Sequence, residues 1–439
     1  LGCAFCKNAD ATDYVVPFNA TDSTSNLQNL INANYGTSGN PARLILNNQP
    51  GNAPWILGPI DLSKPYQTIV LAGGCFVQAK SGAYTSSTAC LFKIKADNVS
   101  IEGYANGVDR SAGVATLEML PAEYPSNSEW RNAVQIGGRS NITIKGIDIK
   151  NTGGDGIYIG NTNPGPLGYA YNVEVSDVEI DGANRNGITI IDAVNLLIQN
   201  CVVKNTVGTS PKAGIDIEPN SITDRLDNID VVSCTFMDNG GANITVGLKK
   251  MRDADPLTTA DPIDIRFSNI TNSGAGTNGI MLSHLYEDGP AGQVVFEDTT
   301  VSNAFWSGIR FLNWRHDRAK AIFDNVYLSH CADTVVYYPV WFDTYSEATA
   351  TPPITPAIQG NIEFINGCRI DDYNSAHSSV MGGNQTQRNS YGFENITGPS
   401  GATGSIDVYR SYSTAPVTFI FGSFHKVNIN VTGVVVPAP

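Results

Sequence analysis

The chain has 439 residues, with 27 Lys and Arg against 41 Asp and Glu, giving a formal charge of −14. Charged residues make up 15% and hydrophobic ones 41%, which excludes a disordered chain. No apolar run reaches the ~18–20 residues of a membrane helix, and an acidic chain without a Lys/Arg cluster argues against nucleic acid as a partner.

Taken in chain order, the sequence starts at Leu1 rather than Met, so a leader is expected to have been removed or left out. Residues 1–60, with an amphipathic-looking stretch at 23–35, are expected to cap the N-terminal end of a fold whose sheet edges need protection. Cys3 and Cys6 form a Cys-x-x-Cys without a second pair to complete a zinc site. They join Cys75, Cys90, Cys201, Cys234, Cys331 and Cys368 in an even set of eight. An even count in this composition fits disulfides formed in an oxidising compartment; buried free thiols are the alternative. Cys201 and Cys234 fall at equivalent places in neighbouring repeats, as a disulfide or as a stacked pair of thiols. Sequons begin at Asn19, Asn98, Asn141, Asn243, Asn269, Asn384, Asn395 and Asn430. Together these features lead us to expect a secreted glycoprotein.

From residue 156 a short motif recurs: Gly156-Ile157-Tyr158-Ile159, Gly187-Ile188-Thr189-Ile190, Gly214-Ile215-Asp216-Ile217, Asn243-Ile244-Thr245-Val246, Gly279-Ile280-Met281-Leu282 and Gly308-Ile309-Arg310-Phe311. Successive Ile residues are 27 to 36 apart. A second alternating segment precedes each motif, as in 142–149, 173–180 and 263–270. One repeat therefore reads as one coil of short strands with alternate side chains inward and Gly, Asn or Asp at the turns. A single coil cannot bury its apolar side, so coils stack strand on strand. The expected fold is all-β, a right-handed parallel β-helix of about ten or more coils. It forms a single domain over 1–439, with the helix at 61–436 after the N-terminal cap. A small polar residue recurs at one turn, at Asp177, Asn200, Ser233, Asn269, Asp298, Asn325 and Asn366, where stacked side chains can bond along the axis. The last strands are expected at 417–421 and 427–436, and 349–356 as an insertion loop.

Long insertions follow the Gly-Ile strand at 161–171, 219–225, 249–262, 284–290, 313–320 and 341–358, and such loops tend to carry function. The outward residues of that strand form a column: Tyr158, Thr189, Asp216, Thr245, Met281 and Arg310. Asp216 and Glu218 are two apart on one strand, with Cα atoms ~6.5–7 Å from each other. Carboxylates at such separations supply an acid and a base across a glycosidic bond. Asp216, Glu218 and Asp155 are therefore the catalytic candidates, set against outward acids that serve solubility alone. Tyr158, Asp192, Lys249, His284, Arg310, Trp314 and His316 are the candidates for holding a sugar chain. Tyr169, Tyr171, Tyr286, Trp306, Tyr338 and Trp341 also lie in or beside the loops, either for stacking on sugar rings or for packing loops onto the coil. No cofactor motif is present, and Ca²⁺ enters only in a lyase reading in which the acids become its ligands.

Ser128-Glu129-Trp130-Arg131, Gly153-Gly154-Asp155-Gly156-Ile157-Tyr158-Ile159 and Ala213-Gly214-Ile215-Asp216-Ile217-Glu218-Pro219-Asn220 are similar to recurrent blocks in one branch of the pectate-lyase-like superfamily. The chain resembles its secreted right-handed parallel β-helix proteins from about residue 66 to 433. The resemblance implies polysaccharide hydrolysis, lyase cleavage or uronate epimerisation. The Gly-His-Gly and Arg-Ile-Lys of polygalacturonases and the Asp-Pro-His of alginate epimerases are absent, and Asp371-Asp372 stands without them. The expected function is an extracellular glycoside hydrolase acting on a polysaccharide. A lyase or epimerase, and a noncatalytic glycan-binding or filament-forming protein that self-associates through its coil ends, stay open as alternatives.

Overall fold

A computed structural model describes residues 11–103, 113–252, 259–286, 288–315, 317–333, 337–343 and 360–374, together with the backbone of three further strands at 381–383, 402–410 and 430–433. Cys3, Cys6, His316, Asn384, Asn395 and the expected loop 349–356 lie outside the described residues, as does the expected strand 417–421. The chain divides into two compact units, one of Leu1–Arg185 with Leu196–Cys201, the other of Asn186–Asn195 with Val202–Pro439.

In the first unit, strands Ile60–Leu62, Phe92–Ile94, Val134–Gly137 and Ile157–Gly160 pair in parallel, one per coil. A second ladder runs Thr12–Val15, Ala42–Leu46, Gln67–Leu71, Val99–Glu102, Ser140–Lys145 and Ala170–Ser176. The stretch expected as a cap thus already contributes strands from Thr12 onward. Within it a helix, α1, spans Thr24–Ala33 and buries Leu27 and Ile31, four apart on one face. Gln28 fastens α1 to the strand Ile60–Leu62, donating to the Asp61 carbonyl and accepting from the Asp61 N–H, each at 3.0 Å.

In the second unit the repeated motif falls into one register, Ile188↔Ile215↔Ile244↔Ile280↔Ile309↔Val340. The recurring glycine has a packing reason. A Cβ on Gly214 would lie 2.6 Å from the Asn243 carbonyl of the next coil, and one on Gly187 would lie 2.6 Å from the Gly214 carbonyl. Inside, Phe267, Phe296, Phe323 and Phe364 stack with ring centroids 4.8, 5.2 and 5.0 Å apart, in register with their strands. Coil stacking thereby sets the spacing of the core itself.

The seven small polar turn residues all have left-handed backbones, with φ between 48° and 56°. Asn and Asp tolerate this region better than other side chains. Along the axis, the Asn269 amide donates to Ser233 Oγ at 2.9 Å and that of Asn325 to Asp298 Oδ1 at 2.6 Å. Two steps of the expected ladder of turn side chains are thus present, Asn366 donates instead to Asp324 at 2.8 Å, and a second ladder links Asn98, Asn141 and Asn172 in the first unit.

Two expectations are corrected. Cys75, Cys90, Cys201, Cys234, Cys331 and Cys368 are free, buried thiols rather than disulfides. They sit at inward or corner positions as small apolar residues. Cys201 donates to the Gln199 carbonyl, Cys331 to that of Ser329 and Cys368 to that of Phe323. Burial pushes the thiols of Cys75 and Cys331 up to about 12, away from the reactive thiolate. The Asn243 sequon is closed to a glycan, because its side chain is buried and its amide donates to Phe236, Asn272 and Ser273. Asn19, Asn141 and Asn269 are exposed, Asn98 is half-buried, and Asn430 opens the strand Asn430–Gly433. Among the described residues no helix is long and apolar enough to cross a membrane.

Candidate functional site

The register of the second unit stacks Thr189, Asp216, Thr245, Met281, Arg310 and Trp341 in one column on the strand face. The expected column is therefore real, but its first half is covered: Asp216 is only 1% exposed, and Thr189 and Thr245 are buried too. Asn186 bonds to two of these residues. Its Oδ1 accepts the Ala213 N–H at 2.9 Å, so its NH₂ end faces the column. There it donates to Asp216 Oδ2 at 2.9 Å and to Thr189 Oγ1 at 3.1 Å.

Glu218 does not share this environment. The strand closes at Ile217, ahead of Pro219, and Glu218 lies just beyond it with its side chain exposed. Its N–H donates to the Ile190 carbonyl at 3.0 Å. The expected pair of equivalent outward acids is thus one covered and one solvated carboxylate at the mouth of the loop 218–225. That loop is wired from within. Asp224 Oδ2 accepts the N–H groups of Asn220 and Ser221 at 2.7 and 3.0 Å. Asp192, buried, accepts the Arg225 N–H at 2.9 Å and so anchors the loop rather than facing outward. Lys249 is half-buried in the turn after Ile244–Gly247.

In the first unit Asp155 is 0% exposed, and Arg185 Nη1 lies 3.2 Å from both of its oxygens. Arg185 also reaches Glu129 at 3.5 Å, and the Asp155 N–H donates to Asn132 Oδ1 at 3.1 Å. Asp155 is a buried, ion-paired group and not a carboxylate on an open face. Tyr158 is likewise covered, its ring 5.4 Å from that of Trp130.

Farther along the second unit the column changes character. The Arg310 guanidinium lies 4.3 Å over the Trp341 ring. His284, half-buried with φ 61°, tilts against Tyr286 at 6.0 Å, and Arg252 covers the same tyrosine at 5.0 Å. Trp314 is 0% exposed and forms part of the core, so it is withdrawn as a sugar-stacking residue. Among the described residues no three His, Cys, Asp or Glu side chains gather closely enough to hold a metal ion.

Sequence reasoning passed over Asn186, Arg185 and Asn132. The available signal was position: Asn132, Asp155 and Asn186 each stand two residues before the first apolar residue of a motif strand. A polar side chain there reaches the neighbouring coil.

A family model described as "Right handed beta helix region" matches residues 167–338. No curated protein matches the chain by sequence. Among solved structures, the A-module of the Azotobacter vinelandii mannuronan C-5 epimerase AlgE6 superposes with a TM-score of 0.67 at 13% identity, covering 97% of this chain and all of that one. The AlgE4 A-module of the same organism gives 0.64 at 13%, covering 94% and 96%. The catalytic unit of a GH87 α-1,3-glucanase from Streptomyces thermodiastaticus gives 0.54 at 13%, covering 98% and 69%. These neighbours act on carbohydrates, and identities this low establish the shared fold rather than a shared reaction. The coil register, the family match and these superpositions together identify the fold of the chain as a right-handed parallel β-helix.

Proposed function

We propose that this chain is an extracellular polysaccharide-active enzyme, a glycoside hydrolase with Asp216 as proton donor and Glu218 as the base that activates water. The observation that carries this reading is the unequal environment of two neighbouring carboxyls. Asp216 is covered and held in one orientation by the Asn186 amide, whereas Glu218 stands in solvent beside a wired loop. Glycoside hydrolysis needs that inequality, with one carboxyl aimed at the leaving oxygen and the other with access to water. Sugar binding over Asp216 would bring the glycosidic oxygen to the column. A lyase or epimerase reaction is the second reading. It is favoured by Lys249, which follows the strand next to Asp216 and can take a proton α to a uronate carboxylate.

The test is turnover on mannuronan, galacturonan and α-1,3-glucan. Hydrolysis predicts new reducing ends without absorbance near ~235 nm, and a loss of about 10²–10⁴-fold in Asp216→Asn and Glu218→Gln. Absorbance at that wavelength with retained activity in Glu218→Gln would select the lyase reading. Absence of turnover on all three polymers, with large assemblies by light scattering, would select the structural one.

A further inference from the structure

Besides the column of Asp216, Met281, Arg310 and Trp341, a second column flanks the same face, three residues before each motif Ile. In the second unit it reads Lys212, Gly241, Thr277, Trp306, then Tyr337 ahead of Val340. On the last two of these coils both columns become aromatic or cationic at once. The rings of Trp306 and Tyr337 lie 5.7 Å apart, Tyr337 and Trp341 4.7 Å apart, and Arg310 sits 4.3 Å over Trp341. Trp306 and Tyr337 are half-exposed, and the buried Trp341 backs them. No other part of the described face places three rings and a guanidinium side by side.

We infer that Trp306 and Tyr337, backed by Trp341 and Arg310, form a distal sugar-stacking subsite that makes this protein select long glycan chains over short ones. The inference rests on the reading of this face as a glycan-binding surface, and it adds chain length as the selected property. Two physical arguments support it. Rings held by one another and by a cation lose little side-chain freedom when a pyranose ring settles on them, so their apolar faces are pre-organised. Arg310 is three coils from Asp216 in the register, about 14 Å at the spacing of paired strands. Only an extended chain of several sugar units spans both places.

The experiment is calorimetric titration of the full chain with disaccharides and hexasaccharides of mannuronate, galacturonate and α-1,3-linked glucose, beside Trp306→Ala, Tyr337→Ala and the conservative Trp306→Phe. At least one hexasaccharide is expected to bind more tightly than its disaccharide. The alanine variants should weaken that hexasaccharide about 2- to 10-fold, leave the disaccharide within twofold, and keep the wild-type Tm, with Trp306→Phe closer to wild type. Equal weakening for both lengths, unchanged hexasaccharide affinity in both alanine variants, or binding by none of the hexasaccharides overturns the inference. Hexasaccharide binding that depends on the two rings, in a protein that turns over no polymer, would remove the enzymatic reading and leave the subsite standing.

Discussion

Asp155 and Asp216 look alike in sequence, each in a Gly- and Ile-rich motif, and both end up buried. Their partners differ. Asp155 in the first unit faces a guanidinium that reaches both its oxygens, and Asp216 in the second faces a neutral amide on one. Those partners, Arg185 and Asn186, are consecutive residues. A full counter-charge commits a carboxylate to the ionised form and to the fold, since breaking such a pair strands a charge away from water. An amide donor orients a carboxyl without itself adding a charge. Asp155 stands two residues before its motif Ile and Asp216 one residue after, and the two positions meet different neighbours.

The contrast can be broken in order of effect. Arg185→Met should cost about 3 kcal/mol in denaturant unfolding, because Asp155 loses its counter-charge while remaining buried. In the same assay Asp216→Asn should change stability by less than about 1 kcal/mol while cutting turnover by about 10²–10⁴-fold. An equal stability loss in the two variants would erase the distinction. Asn186→Ala should follow at about 1–2 kcal/mol, from the unpaired Ala213 N–H. If Asp216 is the proton donor, that variant should also lower kcat more than it raises KM.

The smallest effect belongs to a third carboxylate, Asp22, paired at 2.6 Å with Lys80 near the surface. Hydrogen bonds from Lys80 and Thr24 hold its carboxyl down at about 2, against an ordinary 3.8. A depressed folded-state value stabilises above the unfolded one, so this contribution is present above about pH 4 and is lost as pH falls through about 2. For a pair this exposed it amounts to less than about 1 kcal/mol. Lys80→Met should lower stability by that amount above about pH 4 and flatten the acid-unfolding profile between about pH 4 and pH 2.

Much of the fold was legible because its determinants are local. The inward Ile of each motif, the glycine beside it and the left-handed Asn or Asp at the corner all follow from what one coil demands of its own chain. The insertion after the Asp216 strand was legible for the same reason, whereas the end of the strand before Glu218 and the bonds of Asp224 were not. The cysteines misled because a small apolar residue suits an inward position whether or not another sulfur is near. Trp314 misled because it sits at the end of a loop-bearing strand yet turns into the core.

By itself, then, the sequence determined the all-β class, the coil period, the register of the motif strands and the column that contains Asp216 and Arg310. Only the tertiary structure decided which members of that column see water, which acid receives a guanidinium and which an amide, and where Trp306, Tyr337 and Trp341 come together. The physical reason is range. Alternation and turn conformation are set within a few residues, whereas covering a side chain or pairing its charge needs a neighbour about 30 residues away, one coil along the axis.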